Sequence, residues 1–95
     1  MTELAPSQQV TLAEGVLFQE LAGEAVLLNL DSETYFGLDD VGTRMLQVLA
    51  ASASIGEAQE RLLAEYEVEP AVLQADLQAL IGELAAHGLV CVTGP

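Results

Sequence analysis

The sequence predicts an α+β domain in which a three-stranded antiparallel sheet precedes three helices. Residues 16–38 form short apolar segments separated by turn residues, whereas residues 39–88 place apolar residues at helical spacing. The chain has 95 residues, which is enough for one small domain and too few for two. We expect a flexible N-terminus at residues 1–9, a single domain at residues 10–92 and a short tail at residues 93–95.

Three segments of the first half have the composition of strands. Ala22 and Gly23 offer a tight turn between the first two, because glycine adopts a positive φ readily. Residues 31–33 supply the next turn through side-chain hydrogen bonds to the backbone. We also expect residues 10–12 and 89–92 to be extended. The predicted strands are 16–21, 25–30 and 34–38.

Three helical stripes follow, each with its own start signal. Asp39 or Asp40 can cap the first helix. Ser54, with Glu57 three residues later, has the pattern of a capping box at the start of the second. Pro70 suits the first position of the third helix, where its missing N–H removes no hydrogen bond. The stripes are Val41, Met45, Val48 and Leu49, then Ile55, Ala58, Leu62 and Tyr66, then Leu73, Leu77, Leu80, Ile81 and Leu84, the last ending before Gly88.

Three helices with a small sheet are the content of a winged helix-turn-helix domain, a fold that often binds DNA. This chain has 15 acidic residues, two arginines and no lysine, so its net charge is −13. Because phosphate contacts require Lys and Arg, this charge disfavours nucleic acids and anionic membranes as partners. A DNA-binding winged helix is therefore a disfavoured alternative function. An acidic interaction module with a basic protein partner is another alternative.

Residues that carry chemistry are few. His87 is the only histidine, interpreted as a residue favoured by the helix dipole, and Cys91 is the only cysteine, interpreted as a buried small apolar residue. The acidic residues at 31, 33, 39 and 40 lack the spacing of a calcium loop. We predict no enzyme activity, no catalytic or metal-binding residue and no cofactor. One cysteine, a polar N-terminus and no apolar segment of roughly 20 residues predict a cytoplasmic protein.

The third strand and the third helix suggest a binding function. The strand at residues 34–38 is short and leaves a sheet edge, which is a liability unless something pairs with it. The third helix carries an apolar stripe wider than contact with one small sheet requires. An edge strand beside an apolar helix forms a groove that suits an extended peptide, which adds a strand to the sheet. The alternative is an edge covered by the chain's own ends.

Two segments resemble PqqD-like proteins, the recognition elements of pathways that modify ribosomally made peptides (RiPP recognition elements). Residues 23–42, GEAVLLNLDSETYFGLDDVG, are similar to the core signature of that family. Residues 76–84, DLQALIGEL, followed by HGLV at residues 87–90, are similar to its closing pattern. The resemblance runs from about residue 10 to residue 92 and rests on the order and spacing of the motifs.

The resemblance implies a winged-helix module that binds the leader segment of a precursor peptide as an antiparallel strand beside the third strand, against the third helix. The implied peptide contacts are Thr34, Tyr35, Phe36, Gly37, Leu73, Asp76, Leu77 and Leu80. A stand-alone chain of this length is most similar to the members in lasso-peptide pathways, which present the precursor to a separate leader peptidase and a macrolactam cyclase. Residues 30–33 depart from the Tyr-Pro-Glu-Gly of the pyrroloquinoline quinone pathway. A peptide chaperone of that pathway or of another RiPP pathway stays as the alternative.

Overall fold

The computed structural model describes residues 4–94. The α+β class is confirmed, and the three predicted strands and three predicted helices are all present within a residue or two of their predicted positions. Two short strands accompany them, one at each end of the described chain. In order, the elements are β1 (Gln9–Leu12), β2 (Val16–Leu21), β3 (Glu24–Asn29), β4 (Thr34–Leu38), α1 (Asp40–Ala51), α2 (Ile55–Glu65), α3 (Pro70–Ala86) and β5 (Val90–Thr93).

The three-stranded sheet is antiparallel in the order β2-β3-β4, so β3 is its central strand. The register pairs Leu27 of β3 with Phe18 on one side and with Phe36 on the other. The predicted turn between β2 and β3 is present: Ala22 and Gly23 both have positive φ values, 57° and 85°. Two consecutive residues of this kind form the type I′ turn whose twist matches that of a hairpin.

The C-terminal strand does not pair with the outer edge of β4, so among residues 4–94 the alternative of an edge covered by a strand from the chain's own ends is not what the structure has. β5 pairs antiparallel with β1, with Val92 opposite Val10, and the two strands form a separate two-stranded sheet. The structure therefore has two antiparallel sheets where the sequence predicted one. Among residues 4–94, β4 pairs with β3 alone, so its outer edge carries no strand.

The N-terminal segment contacts the start of α2. The N–H of Ile55 donates to the carbonyl of Gln8 at 2.7 Å, and the N–H of Gly56 donates to the carbonyl of Pro6 at 3.0 Å. These bonds satisfy two of the amides that the first turn of a helix leaves without internal partners. The flexible N-terminus expected at residues 1–9, of which residues 1–3 lie outside the described residues, and the tail expected at residues 93–95 stay predictions. The domain limits at residues 10–92 stay a prediction.

A single apolar core lies between the helices and the inner faces of the sheets. Thr43 of α1 is the buried polar residue next to the sheet, and its Oγ1 accepts from the N–H of Ala25 at 2.9 Å. The same oxygen lies 3.5 Å from the carbonyl oxygen of Leu38, so one hydroxyl joins α1 to both β3 and β4. The largest fully buried apolar side chains are Leu27, Leu46, Leu49, Leu62, Leu77, Ile81, Leu84, Leu89 and Val10.

The helix ends follow their sequence signals in part. The carboxylate of Asp39 accepts from the N–H of Gly42 at 2.7 Å, and the hydroxyl of Ser54 accepts from the N–H of Glu57 at 3.1 Å. The carboxylate of Glu57 reaches the N–H of Ala53 rather than that of Ser54, so only half of the predicted capping box forms. Glu69 makes no side-chain cap bond at the start of α3.

The end of α3 is a Schellman motif. The N–H of Leu89 donates to the carbonyl of Leu84 at 2.9 Å, and the N–H of Gly88 donates to the carbonyl of Ala85 at 3.0 Å. Gly88 has a φ of 71°, the left-handed conformation that a C′ glycine adopts without strain. This motif fixes the direction in which the chain leaves α3 to enter β5.

Candidate functional site

The edge strand β4 and the helix α3 run antiparallel on one side of the molecule. At one end, the ring of Phe36 contacts that of His87, the C-cap residue of α3, with ring centroids 5.4 Å apart. At the other end, β4 leads into α1, and a cavity separates Val41 of α1 from Leu73 and Asp76 of α3. We call this region the β4–α3 cleft; it comprises β4, Val41, Met45, Leu73, Asp76, Leu80 and His87.

The four predicted strand residues lie on two faces of β4. Thr34 and Phe36 alternate with Leu38 on the face that carries the buried side chains of the sheet. Tyr35 and Gly37 point to the opposite face, where Tyr35 is 76% exposed. A Cβ added at Gly37 would meet no atom within 4 Å. In the part of the chain that the structure describes, no strand pairs with the outer edge of β4, and about half of its side chains point toward the helices.

The four predicted helix residues do not all line the cleft. Leu73, Asp76 and Leu80 follow one another at spacings of three and four residues, which places them along one side of α3. Leu73 is buried at the cavity wall, Asp76 is exposed and Leu80 is half-buried. Leu77 is 1% exposed and lies near Pro6 in a different pocket, toward α2. Leu77 therefore lies in the core rather than in the cleft, which differs from the prediction.

The cavity at the Leu38 end of the cleft has a volume of about 200 Å³. Sequence reasoning missed its role, because the pattern assigned Val41 and Tyr66 to buried helix stripes. In the structure, Val41 is 42% exposed and Tyr66, the C-cap of α2, is 37% exposed. One signal was available: Val41 follows the edge strand by three residues and so had to lie near its end. The cavity is lined by Val41, Met45, Tyr66, Glu67, Val68, Leu73 and Asp76.

The charge in and near the cavity is negative. Glu67 and Asp76 are its two ionisable lining residues besides Tyr66. Within residues 4–94, neither carboxylate has a hydrogen-bond or ion-pair partner. Arg44 pairs with Glu65 at 2.9 Å, and this hydrogen bond and the charge of Glu65 raise the pKa of the guanidinium. Arg61 lies 3.6 Å from Glu57.

A second free edge lies at the other side of the same sheet. Within the described residues, β2 also pairs with β3 alone, and an apolar cavity of about 360 Å³ lies beside its Phe18. The wall opposite Phe18 includes Leu46 and Ala50 of α1. The edge of β2 is therefore an alternative site at which a peptide strand could pair with this sheet. Measurements on β2 serve as the control for experiments on the β4–α3 cleft.

The structure also bears on membranes and metals. No helix among residues 4–94 is long and apolar enough to cross a membrane. In the same range, no three or more His, Cys, Asp or Glu side chains come together in a group that could hold a metal ion. Cys91 is exposed on β5 rather than buried as the sequence suggested.

The sequence and the fold have counterparts among known proteins. The family model of coenzyme PQQ synthesis protein D (PqqD) matches residues 24–90. A structure of TbiB1 in complex with the TbiA(beta) leader peptide is 32% identical in sequence, with a TM-score of 0.79 over 84% of this chain and 93% of that one. A lasso peptide synthetase B1 complexed with the leader peptide is 26% identical, with a TM-score of 0.79 over 87% of this chain and 98% of that one. No curated protein matches.

These matches define the class of the protein. The family model covers well over half of the chain, and the TbiB1 structure is matched over nearly its full length. The chain belongs to the PqqD family. The resemblance to PqqD-like RiPP recognition elements is thereby confirmed.

Proposed function

We propose that this chain binds the leader segment of a precursor peptide in a lasso-peptide pathway and presents that precursor to modifying enzymes. The observation that carries the proposal is the unpaired outer edge of β4 next to the β4–α3 cleft. The two solved structures named above support it, because both relatives are complexes with leader peptides. The protein acts as a winged-helix adaptor, and it performs no catalysis itself.

The leader binds by strand addition. Its backbone N–H and C=O groups pair with those of β4, and alternate side chains enter the cleft. In an antiparallel arrangement, the leader runs opposite to β4, so its N-terminal part lies near Leu38 and its C-terminal part leaves near Thr34. The half-buried side chains of Phe36 and Leu80 offer apolar contact to the peptide. The proposed contacts are Thr34, Tyr35, Phe36, Gly37, Leu73, Asp76 and Leu80, to which the cavity adds Val41 and Met45.

Presentation follows from tethering. A bound leader holds the attached core peptide near the protein, so an enzyme that docks on the complex meets a high effective concentration of substrate. The proposed enzyme partners are a leader peptidase and a macrolactam cyclase, in the cytoplasm. Strand hydrogen bonds with apolar pockets give a binding free energy of roughly −8 to −11 kcal/mol, which corresponds to Kd values from about 1 μM to about 10 nM.

Within this family, two pathways compete. The description of the matching family model favours pyrroloquinoline quinone synthesis, whereas both solved relatives favour lasso peptides. The chain is 32% identical to one of those relatives and has a different sequence at residues 30–33 from the Tyr-Pro-Glu-Gly stretch of the quinone pathway. We therefore propose the lasso-peptide assignment. DNA binding is disfavoured further by the two ion pairs that engage Arg44 and Arg61.

Selection from a random peptide library tests the proposal without knowledge of the natural leader. Displayed peptides of about 12 residues are long enough to span β4 and its flanks, at about 3.3 Å per residue. We expect the immobilised protein to enrich peptides with apolar residues at alternate positions and without proline in the paired segment. The tightest of these, made synthetically, is called the selected peptide below. No enrichment, or enrichment of helical patterns with apolar residues three and four apart, would contradict strand addition.

A further inference from the structure

The cavity at the Leu38 end of the cleft combines apolar walls with acidic residues. Val41, Met45 and Leu73 supply aliphatic surface, whereas Glu67 and Asp76 supply two carboxylates. Asp76 lies on the first half of α3 and Glu67 lies between α2 and α3, so they approach the cavity from different elements. A volume of about 200 Å³ has room for one extended side chain.

Nothing in the described chain neutralises these two carboxylates. Both arginines are held elsewhere, Arg44 by Glu65 and Arg61 by Glu57. The sequence has no lysine and a net charge of −13. Glu67 and Asp76 are both exposed in the free protein, and an apolar occupant would cover part of each carboxylate without giving it a partner, which costs free energy. A cationic occupant would supply that partner.

We propose that this cavity binds a lysine or arginine side chain of the leader, with its aliphatic stem against Val41, Met45 and Leu73 and its charged group between Glu67 and Asp76. Long basic side chains bury their methylene groups on apolar surface while the charge reaches a polar rim. The inference rests on the proposed function, because it concerns the same cleft. It adds a charge preference that strand addition alone does not require.

The direction of the strand fixes where this basic residue lies in the leader. An antiparallel guest has its N-terminal part next to Leu38, the end of β4 that leads toward Val41. The basic residue therefore precedes the residues that pair with β4. The leader thus carries a basic position first and alternating apolar positions after it.

The library selection tests this order directly. We expect the enriched peptides to carry Lys or Arg on the N-terminal side of their alternating apolar residues. Peptides with the apolar alternation and no basic preference would overturn this inference and leave the proposed function intact. A selection that enriches no peptides with apolar residues at alternate positions would overturn the proposed function itself.

Binding measurements on the selected peptide then locate the charge contact. Replacement of its basic residue by norleucine keeps an aliphatic stem and removes the charge. We expect this change to weaken binding roughly fivefold to thirtyfold, as for a partly exposed charged hydrogen bond. In the double variant Glu67→Gln/Asp76→Asn, the norleucine replacement should alter the affinity by less than about twofold, because the carboxylates that pair with the basic group are absent.

A matched control removes two carboxylates far from the cavity. The double variant Glu14→Gln/Glu60→Gln changes the net charge by the same amount at two exposed positions outside the cavity lining. We expect it to retain the full effect of the norleucine replacement. An equal effect in the cavity variant and in the control would show that the charge acts over long range, and it would overturn the site.

Discussion

The ring of Phe36 in β4 contacts the ring of His87 at the end of α3, with centroids 5.4 Å apart and planes inclined by 60°. The Nδ1 atom of His87 lies 2.8 Å from the carbonyl oxygen of Glu83, so the Nδ1–H tautomer donates a hydrogen bond along the last turn of the helix. The edge strand and the helix are thus joined by a side-chain contact at this end, while a cavity separates the elements at the other.

Removal of the His87 ring should loosen this junction. We expect His87→Ala to lower the free energy of unfolding by about 1 kcal/mol, because a ring contact and a hydrogen bond are lost. His87→Phe keeps the ring contact and should lose roughly half as much. Urea unfolding followed by circular dichroism measures both. If the two variants lose the same amount, the ring contact contributes nothing.

A basic residue at the cavity should block peptide binding. Val41→Lys places an ammonium group in the cavity wall beside Glu67 and Asp76, where it competes with the basic side chain of the peptide, so we expect binding of the selected peptide to weaken roughly tenfold or more. Val41 is 42% exposed in the first turn of α1, where a cation costs less than about 1 kcal/mol, so the fold should survive. Fluorescence anisotropy with the labelled peptide measures the affinity.

Val72→Lys is the matched control for that experiment. Val72 is 49% exposed and also lies in the first turn of a helix, but it does not line the cavity. We expect its affinity to stay within about twofold of the unmodified protein, since the surface charge alone has a small effect. Equal weakening in the two variants would mean that the net charge of the whole molecule, and not the cavity, governs binding.

The turn between β2 and β3 carries a residue that strains it. Ala22 has a φ of 57°, and a residue with a Cβ pays for this left-handed conformation, whereas asparagine tolerates it better. We expect Ala22→Asn to raise the free energy of unfolding by about 0.5 kcal/mol. Gly23→Ala, at φ 85°, should lower it by about 1 kcal/mol or more. Shifts of the same sign would contradict the turn assignment.

Salt should weaken the complex only modestly. The interactions proposed for the peptide are backbone hydrogen bonds, apolar contacts and one basic side chain, of which only the last is screened. Between about 50 and about 500 mM NaCl, we expect the affinity of the selected peptide to fall less than about tenfold. Titration calorimetry at several salt concentrations measures this slope. A steep fall of the logarithm of the affinity with the logarithm of the salt concentration would indicate that charge drives the binding.

The elements of this fold were predictable because their signals are local. The alternation around Ala22 and Gly23, the Asp39 cap and the Pro70 start each depend on a few neighbouring residues. The pairing of β5 was not predictable, because Val92 meets Val10 across almost the whole chain and the apolar tail fits either sheet edge equally well by pattern. That pairing decides whether the edge of β4 is open.

The cleft was predictable in outline but not in its lining. Sequence spacing places Leu77 on the same apolar stripe as Leu73, and only the position of α2 shows that Leu77 turns away from β4. Tyr66 continues the apolar stripe of α2 by spacing, but the helix ends at the preceding residue and leaves the ring at the cavity. Both differences arise from how helices pack, which periodicity does not encode.

Residue-resolved amide hydrogen exchange of the protein, free and with the selected peptide, tests the central claim most directly. Alternate residues of β4 direct their N–H groups to the unpaired outer edge, where they exchange rapidly in the free protein. If the peptide adds a strand to β4, it slows the exchange of these amides at least about tenfold, while the exchange of the β2 amides stays unchanged. Protection confined to β2, or no change along β4 at saturating peptide, would contradict strand addition to β4.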